Sequence, residues 1–149
     1  MATRVELYFG ENRLISYFMK IVIAGSASLQ DEIKKWVQYW NSQKDCLVLN
    51  YPEIIPKDNF AELYPEVHKN FFKDIIKADI LFVANERKNG IDGYIGAETF
   101  AELSFGLAQK LINGKNIKLV LANMPSEEVA CYEEIALWKK LGWISVIAK

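Results

Sequence analysis

The sequence predicts a three-layer α/β domain built on a doubly wound, parallel sheet of five strands. Short apolar runs rich in β-branched residues recur along the chain, as is typical of strands buried on both faces of a parallel sheet. Segments with helical spacing of apolar residues separate these runs, so that strand and helix alternate. The length of 149 residues suits one domain with its own core.

Strands are predicted at 20–25, 46–52, 78–85, 116–125 and 143–148, and helices at 26–43, 65–78, 97–112 and 126–142. Ser26 or Ser28 is the expected cap of the first helix, and Pro65 is expected in the first turn of the second. The Asn-Gly pair at 113–114 is expected to stop the third helix, and Ser126 to cap the fourth.

The strand order expected for this pattern is 2-1-3-4-5, the flavodoxin-like variant of the Rossmann-like folds. Such sheets bind ligands beyond the carboxyl ends of their strands, at the switch point between strands 1 and 3. The rule selects three segments before any function is considered. They are GSAS (25–28), Asn85 with the 86–96 loop, and the start of the 97–112 helix.

Residues 1–18 are expected to form an N-terminal extension and residues 19–149 the domain, because Met19 opens the first strand-like run. The alternation in VELYF is compatible with an added edge strand. Acidic residues and a glycine stand where a signal peptide has its apolar core, so a secretory signal is not expected. No run approaches the length of a transmembrane helix.

Charge and cysteine content argue against several classes of function. The formal net charge is −1 and no long basic run occurs, so we expect no nucleic-acid or membrane partner. Cys46 and Cys131 stand far apart and His68 is the single histidine. We therefore expect no metal site and a reduced, cytoplasmic setting. His68 is interpreted as a surface or loop-packing residue, and the ERKN charges (86–89) as a solvated face.

The GSAS segment offers a glycine for close backbone approach and two hydroxyls beside a helix N-terminus. This arrangement favours a phosphate or a sugar hydroxyl as ligand, but the two serines would serve as well as helix caps alone. GSASLQ is not GxGxxG and no Walker lysine follows, which argues against dinucleotide and P-loop sites. Ser26 and Asn85 stand where a receiver domain would carry acidic residues, which disfavours that class.

A helical wheel divides the 97–112 helix into two arcs. The arc expected to be buried contains Phe100, Leu103, Ser104, Leu107, Ala108 and Leu111. The opposite arc contains Glu98, Thr99, Glu102, Gly106 and Gln109. Glu102 is thus expected outside the core, either as a solvated carboxylate or as a cleft residue with room beside the small Thr99 and Gly106. In a cleft, the helix dipole would keep it ionised, ready to act on the positive charge that develops at a sugar C1.

The stretch GYIGAETFAELSFGLA (93–108), after ADILFVANERKNGID (78–92), resembles the nucleoside 2-deoxyribosyltransferase-like superfamily, and within it a branch with the pattern GYIGxxTxxE. In that family a small-residue turn leads through a serine or threonine to a helical glutamate. The anchor positions are Gly96, Thr99 and Glu102. IVIAGSAS (21–28) is similar to the group's first-strand loop, and the similarity runs from about Met19 to the C-terminus.

The resemblance implies a transferase or hydrolase of the N-glycosidic bond in a (deoxy)nucleoside or nucleoside monophosphate, without metal or redox cofactor. Glu102 would be the nucleophile that attacks the anomeric carbon, and Thr99 would orient it or bond a ligand oxygen. The substrate-binding residues implied are Gly25, Ser26, Ser28, Asn85, Asp92, Tyr94, Gly96 and Thr99. A homo-oligomer is expected, because related folds often complete the pocket across a subunit interface.

Two departures from the family leave alternatives open. Gly96 stands where characterised members carry an aspartate, and Asn70 or Phe71 where relatives supply an acid. No residue is therefore assigned as the acid that protonates the base. One alternative is a non-catalytic module that binds or senses a nucleotide. Another is a phosphoribohydrolase, whose GGxGTxxE motif shares the spacing of Gly96, Thr99 and Glu102, although its leading glycine pair is absent here.

Overall fold

The structure, a computed structural model, describes residues 3–9 and 12–148, with side chains from residue 18 onward. The strands are β1 (Thr3–Phe9), β2 (Asn12–Ala24), β3 (Cys46–Asn50), β4 (Ile80–Val83), β5 (Lys118–Leu121) and β6 (Ser145–Val146). The helices are α1 (Gln30–Ser42), α2 (Phe60–Lys77), α3 (Ala97–Ile112) and α4 (Tyr132–Lys140), and a 3-10 turn (Lys57–Asn59) leads into α2.

Five strands form an all-parallel sheet in the order β3-β2-β4-β5-β6. This arrangement confirms the predicted doubly wound sheet and its order 2-1-3-4-5. The central strands β2 and β4 pair from Ile21 and Ile80 to Ala24 and Val83. Their carboxyl ends therefore lie side by side at the predicted switch point.

The sixth strand, β1, lies outside this parallel set. It pairs antiparallel with the first half of β2, from Thr3 opposite Phe18 to Phe9 opposite Asn12. The pairing of β2 with β3 begins only at Met19. The partner of β1 is therefore the N-terminal half of β2, before the part of β2 that pairs with β3 and β4.

Both faces of the sheet are covered, as the apolar runs predicted. Ile21 and Ile23 point to one face, where they pack with Trp40 of α1. Val22 and Ala24 point to the other face and belong to a larger cluster with residues of α2, α3 and α4. The alternation follows from the two-residue period of a strand.

The predicted starts of α1 and α4 are wrong. Neither Ser26 nor Ser28 caps α1, because the chain makes a turn first, in which the Leu29 amide donates to the Ser26 carbonyl at 3.0 Å. Ser126 does not cap α4 either. The Val129 amide donates to the Ser126 carbonyl at 3.0 Å, and this separate turn precedes the helix.

Helix α2 begins at Phe60, five residues before the predicted start, and Pro65 lies inside it. Proline was interpreted as a first-turn residue because it lacks a backbone N–H. Here the helix continues through it, so the segment 60–64 is helical and belongs to the same surface as the rest of α2.

Helix α3 has the predicted bounds, but its buried face differs from the one that the wheel predicted. Thr99, Glu102 and Gly106 are buried together with Leu103 and Leu107, whereas Leu111 is exposed. The reason is a close approach of α3 to the sheet. A Cβ at position 106 would lie 2.7 Å from Leu81 Cδ2 and 3.1 Å from Leu119 Cδ2. Gly106 therefore permits helix–sheet packing and does not leave room for a ligand, contrary to the prediction.

Candidate functional site

A cleft of about 580 Å³ opens at the carboxyl edge of the sheet, within the size range of small-molecule sites. Its walls come from the loop after β2, the segment after β3, helix α2, the loop after β4 and the first turns of α3. Six of the predicted site residues line it: Gly25, Ser26, Tyr94, Gly96, Thr99 and Glu102. Ser28, Asn85 and Asp92 do not.

Asn85 lies outside the cleft wall because its side chain joins two strand ends. Its Nδ2 donates to the Gly93 carbonyl at 3.3 Å and to the Asn123 carbonyl at 2.7 Å. Its Oδ1 accepts from the Asn123 amide at 3.0 Å. Both ends of this buried amide are used by the backbone, so Asn85 fixes the loop that carries Tyr94 and is not placed to contact a ligand.

Asp92 and Ser28 also lie outside the cleft lining. The Asp92 carboxylate accepts from Arg87 Nη1 at 3.0 Å, and its side chain is 70% exposed. Asp92 therefore does not replace the acid that Gly96 leaves missing. Ser28 is exposed and its hydroxyl lies 3.0 Å from that of Ser26.

Glu102 lies in the cleft wall, and its carboxyl group is enclosed by the core. Only 7% of the residue is exposed, and its Oε2 is buried with no hydrogen-bond partner among the residues that the structure describes. Burial first, and the charge of Glu98 second, raise the pKa of Glu102 from 4.5 to about 8. The expectation of a carboxylate outside the core is therefore wrong, because Glu102 is buried. The raised pKa favours its protonated form over the ionised form that was expected.

Lys88 lines the cleft, although it was predicted to lie on a solvated face. Asn89 and Gly90 have φ values of 52° and 76°, which is the pairing typical of a type I′ hairpin turn. Lys88 and Ile91 exchange backbone hydrogen bonds of 3.1 and 2.9 Å across it. The turn holds Lys88 Nζ where it donates to Ser26 Oγ at 2.6 Å and lies 5.2 Å from the Tyr94 ring centroid. The sequence signal for this turn was the Asn-Gly pair that directly follows Lys88.

Helix α2 contributes an aromatic wall. Four aromatic rings recur every four residues along α2: Phe60, Tyr64, His68 and Phe72. The first two pairs of neighbours are stacked, each with a centroid distance of 5.2 Å, and the third pair is tilted by 59° at 4.4 Å. The first three rings line the cleft. The prediction missed this wall because it placed residues 60–64 in a loop, which hid the four-residue repeat.

Glu98 joins this wall to α3. His68 Nδ1 lies 3.6 Å from Glu98 Oε1, and the His68 side chain is 28% exposed. Burial raises the pKa of Tyr64, with further contributions from the charge of Glu98, a hydrogen bond to Glu98 and the charge of Glu102. The Glu98 carboxylate thus interacts with both the Tyr64 hydroxyl and the His68 imidazole at the cleft, one helical turn from Glu102.

Comparison with models of known protein families and with curated proteins finds no match.

In residues 3–9 and 12–148, no helix has both the length and the apolar character that crossing a membrane requires. No cluster of three or more His, Cys, Asp or Glu side chains in that part of the chain is placed to hold a metal ion.

Replacing Glu102 by glutamine should make stability less sensitive to pH. The unfolded chain releases this proton near pH 4.5 but the folded chain retains it up to about pH 8. The folded state therefore binds more protons in that window, and wild-type stability falls as the pH rises through it. Relative to Glu102→Gln, the free energy of unfolding of the wild type should fall by up to about 1.4 kcal/mol for each pH unit in this window, with no further loss above pH 8.

Urea unfolding at several pH values between about 5 and 9 measures this difference. Glu133→Gln, an exposed carboxylate of α4, is the control and should run parallel to the wild type. Parallel curves for Glu102→Gln and the wild type would show that Glu102 titrates as an ordinary carboxylate.

Proposed function

We propose that this protein cleaves or transfers the N-glycosidic bond of a nucleoside or nucleoside monophosphate, with Glu102 as the nucleophile. The observation that carries the proposal is a buried carboxyl group with an unpartnered oxygen in the wall of a ligand-sized cleft. A polar atom without a partner is costly to bury. Such groups are concentrated at functional sites, where a ligand or a reaction supplies the missing interaction.

The chemistry suits a carboxylate. Departure of the base leaves oxocarbenium-like charge at C1′, and a carboxylate can capture it as a covalent ester that water or a second base then resolves. Catalysis requires the ionised form of Glu102, which is the minor form near pH 7 because its pKa is about 8. Positive charge developing at C1′ stabilises that ionised form during the reaction.

Two features of the cleft support a substrate with an aromatic base and an anionic end. Phe60 and Tyr64 provide aromatic surface for a base. Lys88 and Ser26 provide an ammonium group and a hydroxyl in a polar part of the cleft wall, beside the turn that leads into α1. An ammonium group beside a hydroxyl is a suitable anchor for a 5′-phosphate.

A second candidate function rests on the protonation of Glu102. A neutral carboxylic acid donates a hydrogen bond to a ligand and does not attack carbon. With a pKa of about 8, Glu102 in that form would suit a module that binds or senses a nucleotide without cleaving it. Such a module should bind nucleotides, release no base, and keep its affinity when Glu102 is replaced by glutamine.

We also propose that the protein works as a cytoplasmic homo-oligomer. Ile54, Phe60, Leu63 and Val67 form an apolar rim at the mouth of the cleft, and each is more than 40% exposed. A second copy covering this rim would remove it from water. The two free cysteines, Cys46 and Cys131, are consistent with a reducing compartment.

Glu102→Ala should abolish base release. Incubation with a panel of nucleosides and nucleoside monophosphates, followed by chromatography of the free bases, measures the reaction. We expect kcat/KM to fall at least about a thousandfold, as is typical when a nucleophile is removed. Glu133→Gln should retain full activity, and full activity in Glu102→Ala would refute the assignment.

Lys88→Met should discriminate between substrates with and without a 5′-phosphate. Loss of a charge-assisted contact costs about 1.5–3 kcal/mol, so kcat/KM for the monophosphate should fall roughly tenfold to a hundredfold, while that for the nucleoside changes less than about threefold. Arg87→Met is the matched control, because this neighbouring cation pairs with Asp92 outside the cleft. An equal loss on both substrates would exclude the phosphate contact.

A further inference from the structure

His68 is the one histidine of the chain, and the structure places it in the cleft. It lies on α2 with its ring between Tyr64 and Phe72, at centroid distances of 5.2 and 4.4 Å. Packing alone explains an aromatic ring at this position. It does not explain an imidazole, whose polar edge here meets the Glu98 carboxylate at 3.6 Å.

A carboxylate beside one ring nitrogen orients an imidazole and leaves the other nitrogen to exchange a proton. In this cleft Nδ1 faces Glu98 Oε1, so Nε2 is the nitrogen that would exchange a proton. An imidazole nitrogen can both donate a proton and take it back, which suits general acid–base catalysis.

We propose that His68 is the acid that protonates the departing base. The inference rests on the proposed function, since it assigns a further role within the same reaction. As a Glu102 oxygen forms its bond to C1′, the bond between C1′ and the base nitrogen breaks and its electron pair stays on the base. The proton of the His68 imidazolium passes to a ring nitrogen of the base, and neutral imidazole is left. That imidazole then accepts the proton of the water or second base that attacks the glycosyl ester.

Several other groups at the cleft are poorer donors. Glu102 is already used as the nucleophile, and the half-exposed Glu98 carboxylate is used by His68 and Tyr64. The pKa of Tyr64 is raised, so its hydroxyl gives up a proton less readily than a free phenol. Lys88 donates to Ser26, and the Asn70 amide carries no titratable proton.

The test uses base release from two substrates, of which only one needs an acid. One is a purine nucleoside monophosphate. The other is its N7-methylated form, which is already cationic and loses its base as a neutral molecule without protonation. The variant is His68→Phe, which keeps an aromatic ring between Tyr64 and Phe72. Glu66→Gln, an exposed residue of the same helix outside the cleft, is the control.

His68→Phe should lower kcat/KM on the unmodified substrate about a hundredfold or more, which is the usual contribution of general acid catalysis. On the methylated substrate, it should stay within about threefold of the wild type. His68→Asn should show the same pattern, and it serves if the phenylalanine variant does not fold. The Glu66→Gln control should match the wild type on both substrates.

Equal losses on the two substrates would make His68 a packing or binding residue and overturn the inference. An unchanged rate on the unmodified substrate would also overturn it. Either result leaves Glu102 as nucleophile intact, provided that the wild type releases base. If the wild type releases base from neither substrate, the proposed function itself fails and the role of His68 fails with it.

Discussion

The site depends on how closely α3 approaches the sheet. Gly106 allows this approach, because a side chain there would collide with Leu81 and Leu119. One turn earlier on the same face stands Glu102, which is consequently drawn out of solvent and keeps only 7% of its surface exposed. Desolvation and the neighbouring Glu98 then raise its pKa to about 8. A packing constraint therefore sets the protonation state of the group on which the proposed chemistry depends.

The remaining walls complement this carboxyl group. The hairpin turn after β4 holds Lys88 against Ser26, which supplies a cationic and polar wall. Helix α2 supplies an aromatic wall in which His68 contacts Glu98. A substrate with an anionic end, a sugar and an aromatic base would use all of these surfaces. The proposed reaction would then draw its nucleophile from α3 and its proton from α2.

The fold was predictable in outline and the site only in part. The alternation of strands and helices and the bounds of α3 followed from apolar periodicity and stop signals, which are local properties of the chain. The buried face of α3 was not predictable from the wheel, because its apolar residues surround the helix and the packing on the sheet selects the face. Lys88 and His68 were interpreted as surface groups, since their cleft positions depend on a hairpin turn and on a longer α2. Asn85 was selected correctly as a residue at the sheet edge, but its amide is used by the backbone.

The proposed reaction requires Glu102 to form a covalent bond to the sugar. A 2′-fluoro-arabinosyl nucleoside analogue tests it most directly, because the fluorine slows both steps and allows the ester to accumulate. After incubation at a pH above 8, where Glu102 is ionised, mass spectrometry should find one fluoro-arabinosyl group on the peptide that contains Glu102, and none in Glu102→Gln. Base release without an adduct on Glu102, or an adduct on another residue, would contradict the account.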